Sequence, residues 1–128
     1  MKVFLNDAQS SIVIATLHNQ QQFLSCLLMN SQPNSTERNT IRRMLRNVKN
    51  ILDNVKETIG NKYDLSANQL SVIAFSLSAF VDTCQQLLTE NSDIVKTNPN
   101  IQEMIEEMLE PATSALKVIH QASMKSSL

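Results

Sequence analysis

A chain of 128 residues carries one domain's worth of core, burying roughly two-thirds of its unfolded surface, so it needs neither disulfides nor metals to stay folded. An apolar content of 42% argues against disorder, and a single glycine excludes a sheet protein built on many tight turns. The net charge of −1 excludes a global field that would draw the chain to nucleic acid or an anionic membrane.

The chain opens on Met1-Lys2-Val3-Phe4-Leu5, which starts like a signal peptide. Asn6-Asp7-Ala8-Gln9 then interrupts the apolar stretch before it is long enough. No apolar run approaches the ~18–20 residues of a membrane span. With no leader, Cys26 and Cys84 are expected as free thiols of a cytoplasmic protein, a secreted mature chain being the alternative. The first helix is predicted from Asn6, a suitable N-cap, to about Asn30, with Asp7 favourable against the helix dipole. Its apolar arc holds Ile12, Val13, Leu17, Phe23, Leu24, Leu27 and Leu28, with Gln9, Thr16 and Gln20 inside the same arc. Pro33 ends it. Asn34-Ser35-Thr36 fits the N-glycosylation pattern, which a chain rich in Asn, Ser and Thr meets by chance.

The second helix is predicted from Asn34, capped with Glu37 in a capping box, to Gly60 at a left-handed C′ position. Ile41, Leu45, Val48, Leu52, Val55 and Ile59 step by four and three along it. The third follows Ser66, with Gln69 at capping-box spacing, and runs to about Asn91. It buries Leu70, Ile73, Leu77, Phe80, Val81, Cys84 and Leu88, and leaves Val72, Phe75 and Ala79 together on the opposite side. The fourth starts at Asn98-Pro99, a cap followed by proline at the first helical position, and runs toward Ser123. Ile101, Ile105, Met108, Ala112, Ala115 and Ile119 repeat the cadence of the second helix. Pro111 removes the bond to the Glu107 carbonyl and should kink the helix. A period near 3.5 is the seam of helices crossing near +20°. Short connections make neighbours antiparallel. No repeat of 20–50 residues is visible.

The predicted architecture is therefore all-α: residues 1–128 as a single up-down-up-down four-helix bundle, its fourth helix kinked at Pro111. In that arrangement Cys26 and Cys84 lie near the same end.

Catalysis has no visible machinery. His18 and His120 are the only histidines, and neither has an acidic or cysteine partner one turn away. There is no Gly-rich phosphate loop, Cys-x-x-Cys, Glu-x-x-His or His-x-x-x-His. No enzyme, metal or cofactor is expected. Arg38, Arg42, Arg46, Lys49 and Lys56 line one side of the second helix, with Arg43 beside them. Such a stripe can meet phosphates, but no aromatic residue interleaves it and Asp53 interrupts it, which disfavours nucleic acid and leaves a solvated helix face as the plain reading. Glu103, Glu106, Glu107 and Glu110 form an acidic counterpart on the fourth helix, diagonal from the basic one. Positive charge crowding a helix N-terminus is unfavourable, so the polarity suggests a charged partner or a second copy of the chain.

The expectation is a non-enzymatic protein-interaction module, a small regulator or inhibitor. Its partner-binding residues would be Arg38, Arg42, Arg46 and Lys49 on the second helix and Val72, Phe75 and Ala79 on the third. The partner is another protein or a second copy about a two-fold axis. A third helix buried on two sides would explain the apolar trio equally well. The alternative function is a carrier of a small apolar molecule between the helices, suggested by Met44, Met104 and Met108.

Overall fold

The computed structural model describes residues 1–89 and 97–126. Among these residues are four long helices: α1 (Asp7–Asn30), α2 (Thr36–Glu57), α3 (Ala67–Thr89) and α4 (Pro99–Ser126). Two three-residue strands, β1 (Lys2–Phe4) and β2 (Lys62–Asp64), pair antiparallel ahead of α1 and α3. The helices form the predicted up-down-up-down bundle, and α4 continues through Pro111. Its core combines Leu17, Leu70, Ile73, Leu77 and Ile119, all fully buried, with the α2 stripe of Ile41, Val48, Ile51, Leu52 and Val55.

Several expectations need correction. The strands were not expected, because three residues are too few for a period-two signal to emerge. Only Val3 and Tyr63, the middle residue of each, point into the core. The N-cap of α2 is Ser35, whose Oγ accepts from the Arg38 amide at 3.0 Å, while Asn34 takes a left-handed φ of 62° in the turn. The helix stops at Glu57, before Gly60, which sits at φ 82° in the turn into β2. Ile59 therefore falls outside the helix and is 98% exposed. Asn91, the expected end of α3, lies outside the described residues. Among the described residues α3 alone is long and apolar enough by length and composition to cross a membrane, though serines, Gln69 and Asp82 interrupt it so that no unbroken apolar run reaches that length. Much of that apolarity belongs to the bundle core through Leu70, Ile73, Leu77 and Val81.

The molecule is built from two similar halves, β1-α1-α2 and β2-α3-α4, whose strands and first helices are spaced 60 residues apart (Lys2 and Lys62, Leu5 and Leu65, Gln9 and Gln69), while the buried Ile41, Val48, Ile51 and Val55 of α2 match the buried Ile105, Ala112, Ala115 and Ile119 of α4. The strand register pairs Lys2 with Asp64, Val3 with Tyr63 and Phe4 with Lys62, so a pseudo-two-fold axis passes through the Val3–Tyr63 pair. Outside the ladder the Leu5 amide donates to the Asn61 carbonyl at 3.0 Å and the Leu65 amide to the Met1 carbonyl at 2.8 Å, bonds that the axis interchanges. Both halves use the same helix start. Asn6 and Gln9 form a reciprocal capping box on α1, and Ser66 and Gln69 form one on α3. Beyond the caps, Gln9 Nε2 donates to Ser114 Oγ at 2.9 Å, matched by Asn54 Nδ2 donating to Gln69 Oε1 at 3.4 Å. The polar strip of α1 thus lies on the buried side: Gln9 is held by these bonds, and Thr16 donates to the Val13 carbonyl at 3.0 Å.

Candidate functional site

The symmetry is broken where one half meets the other. α1 packs along α2 and α3 along α4, and α4 also closes against α1; the equivalent junction between α2 and α3 is barely made. Size explains it. Ala112 and Ala115 in α4, fully buried, stand where α2 has the buried Val48 and Ile51, so α4 can settle deeper. On the closed side Ile12 and Phe80 supply bulk where the open side has Val72 and Gln20. Ile12 is accordingly buried and Val72 only half-buried.

What remains between α2 and α3 is a groove of about 270 Å3, floored by Leu24 of α1 and walled by Met44, Val48, Val72 and Phe75. Phe75 stands 64% exposed at its edge, where its counterpart in the other half is only an alanine, Ala15. A phenylalanine left in water forgoes roughly 1.5–3 kcal/mol relative to burial. Gln20, Asn47 and Ser71 complete the lining, and no charged side chain takes part. Ser76 is 4% exposed, and its Oγ is the single buried side-chain polar atom without a hydrogen-bond partner among the described residues. Its counterpart Thr16 is satisfied, as are Thr40, Thr58, Thr83 and Thr113, each bonding the carbonyl four residues back. Leaving one such group unmade costs about 1–3 kcal/mol. An unfilled junction, an exposed phenylalanine and an orphaned hydroxyl therefore coincide.

A second depression, about 360 Å3, lies on the pseudo-two-fold axis between α1 and α3. Its walls exchange under the axis: Thr16 with Ser76, Asn19 with Ala79, Gln20 with Phe80, Phe23 with Thr83. The expected trio of α3 is therefore divided. Val72 and Phe75 belong to the groove, and Ala79 belongs to this axial cleft. Phe23, expected in the core, is 58% exposed beside it, and Leu27 is also exposed, because α1 and α3 part at this level.

The basic residues of α2 lie elsewhere. At about 100° per residue, Arg42, Arg46 and Lys49 fall on the outer side of the helix, well round from Asn47, and none lines the groove. Arg38 is half-buried and holds the end of α1, donating to the Leu28 carbonyl at 3.0 Å and to Ser31 Oγ at 3.4 Å. That supplies the cation which the last turn of α1 lacks. Arg42, Arg43, Arg46, Lys49 and Lys56 are exposed, and among the described residues the ion pairs all involve Asp64. At the corresponding places α4 carries Glu106 for Arg42, Glu107 for Arg43 and Glu110 for Arg46. One second helix is basic and its counterpart acidic.

No group of three or more His, Cys, Asp or Glu side chains among the described residues is placed to hold a metal. His18 is half-buried and His120 exposed. Both cysteines are free, Cys26 exposed and Cys84 buried, and burial pushes the Cys84 thiol above its usual range. Compared with known protein families, curated proteins and solved structures, the chain matches none.

Proposed function

We propose that the protein is a non-enzymatic interaction module that docks an acidic protein surface on the outer side of α2. The observation behind this reading is the row Arg42, Arg46 and Lys49: three exposed cations in successive turns, without an ion-pair partner among the described residues, on a helix whose counterpart in the other half carries acids instead. Local like-charge crowding costs helix stability by a few tenths of a kcal/mol per pair. Charge facing charge steers association and sets partner choice more than it sets affinity. The exposed, free Cys26 suits a reducing compartment, and the same reading places the protein in the cytoplasm.

The test is capture from a native extract by the wild type and by a variant with Arg42→Glu, Arg46→Glu and Lys49→Glu together. The expected result is a protein retained by the wild type at low salt, weakened as ionic strength rises past about 0.15 M, and lost by the variant. Exposed charges contribute within about 0.5 kcal/mol each, so the melting temperature should hardly move. Identical capture by both proteins overturns the reading. A large loss of stability would make the row an internal feature of the fold, and overturns it equally.

A further inference from the structure

The groove between α2 and α3 has a different chemistry from the outer side of α2, and it carries its own inference. We propose that it is a binding site for a small, neutral, largely apolar molecule bearing one hydrogen-bonding group, which Ser76 recognises. Three observations converge on that class of ligand. The walls are apolar: Leu24, Met44, Val48, Val72 and Phe75. No charged side chain lines the groove, so an ionised ligand would lose its hydration without gaining a counter-charge. The hydroxyl of Ser76, buried and unpartnered, belongs to a residue that lines both the groove and the axial cleft, and a serine hydroxyl can donate to a ligand oxygen.

The dimensions favour a compact molecule over a docked helix. The α3 side of the groove runs from Ser71 to Ser76 and the α2 side from Met44 to Val48. At about 1.5 Å per residue that is roughly one and a half turns, too short to seat the several anchors of a helix-in-groove contact. The groove also has a built reason to exist. The closed junction between α1 and α4 is filled by Ile12 and Phe80, where the open junction between α2 and α3 has Val72 and Gln20, and Phe75 stands as a wall where the closed junction has Ala15. Gln20 and Asn47 add neutral polar groups to the lining.

This inference does not rest on the interaction reading, and its test separates the two. Titrate the whole protein with 1-naphthol and with naphthalene, following fluorescence or heat. The expected result is saturable uptake of one 1-naphthol per chain. Ser76→Ala, which removes one hydroxyl from a buried position, should weaken 1-naphthol about two- to tenfold and leave naphthalene unchanged, as expected for one neutral hydrogen bond. Phe75→Ala should weaken both probes by removing a wall from an exposed position where folding is not at stake, and circular dichroism checks that each variant is folded. The triple reversal of Arg42, Arg46 and Lys49 should bind both probes as the wild type does. Absence of saturable 1-naphthol binding overturns the proposal. So does an Ser76→Ala variant that binds 1-naphthol as well as the wild type, or one that loses both probes equally.

Discussion

The junction of α1 with α4 is sealed and the junction of α2 with α3 is open, although the same local plan builds both. Each half starts with a short strand, turns into a helix through a capping box, and returns along a second helix with a three–four apolar step. The repeated parts are those that fix backbone direction: the caps Asn6 and Ser66, the glutamines Gln9 and Gln69, the core leucines Leu17 and Leu77. The parts that differ are side-chain volume and charge at the junctions. Two halves with equivalent frames have diverged where they face outward, so the open junction and the basic helix, both in or beside the first half, are where function is best sought.

The largest effects should show that the frames are equivalent. Leu17 and Leu77 are both fully buried and related by the axis, so Leu17→Ala and Leu77→Ala should each cost about 2–5 kcal/mol, within a factor of two of each other. Ile12 and Val72 should part company. Ile12→Ala should cost at least about 2 kcal/mol under the cover of α4, while Val72→Ala at the rim of the groove should cost under about 1 kcal/mol. Denaturant titration of the four variants measures this. Equal penalties at Ile12 and Val72 would mean that the groove is closed in solution.

A smaller and symmetric effect is expected at the caps. Asn6→Ala and Ser66→Ala each remove an acceptor for the amide of the third helical residue, at 2.8 Å and 3.1 Å respectively. Each should lower stability by about 1 kcal/mol, and the double variant by the sum, because the two caps share no hydrogen bond. A cost confined to one cap would break the equivalence of the two helix starts.

Much of the frame was legible because helix caps and three–four apolar steps are local signals. Asn6, Ser66, Gln69 and Pro99 mark helix starts that the fold uses. The α2 stripe of Ile41, Val48, Leu52 and Val55 is buried as its spacing requires, whereas Ile59 continues the spacing past the point where the helix has already stopped. The likeness of the two halves was invisible for a physical reason. What the halves share is cap chemistry and burial, while matching positions differ as Val48 from Ala112, Gln20 from Phe80 and Arg46 from Glu110. The exposed apolar face of α3 was legible from Val72 and Phe75 standing opposite Ile73 and Leu77. The groove was not, because it depends on how far α2 stands from α3, a distance set by volumes on three helices at once. Nor was the orphaned hydroxyl of Ser76, since serine reads alike whether its partner exists or not.

The smallest effect concerns the two thiols, which change reactivity without changing the fold. Cys26 is exposed near the far end of α1, and Cys84 is buried in a small cluster with Ile105 at the far end of α3 and α4. At pH 8 a maleimide should label Cys26 within minutes and spare Cys84, because thiolate is the nucleophile and burial holds the Cys84 proton above the ordinary value of 9.0. The sign of the linkage follows. Folding favours the protonated thiol, so the Cys84 contribution is fully present below the unfolded value of 9.0 and is lost as pH rises through the higher folded value. Stability should therefore slope gently downward above pH 9, and Cys84→Ala should remove that part of the slope while Cys26→Ala leaves it unchanged. Denaturant midpoints between about pH 7 and 10 read the slope directly. Fast labelling of Cys84 in the folded protein would show that the α3–α4 end opens as readily as the groove side, and burial would then not be what protects this thiol.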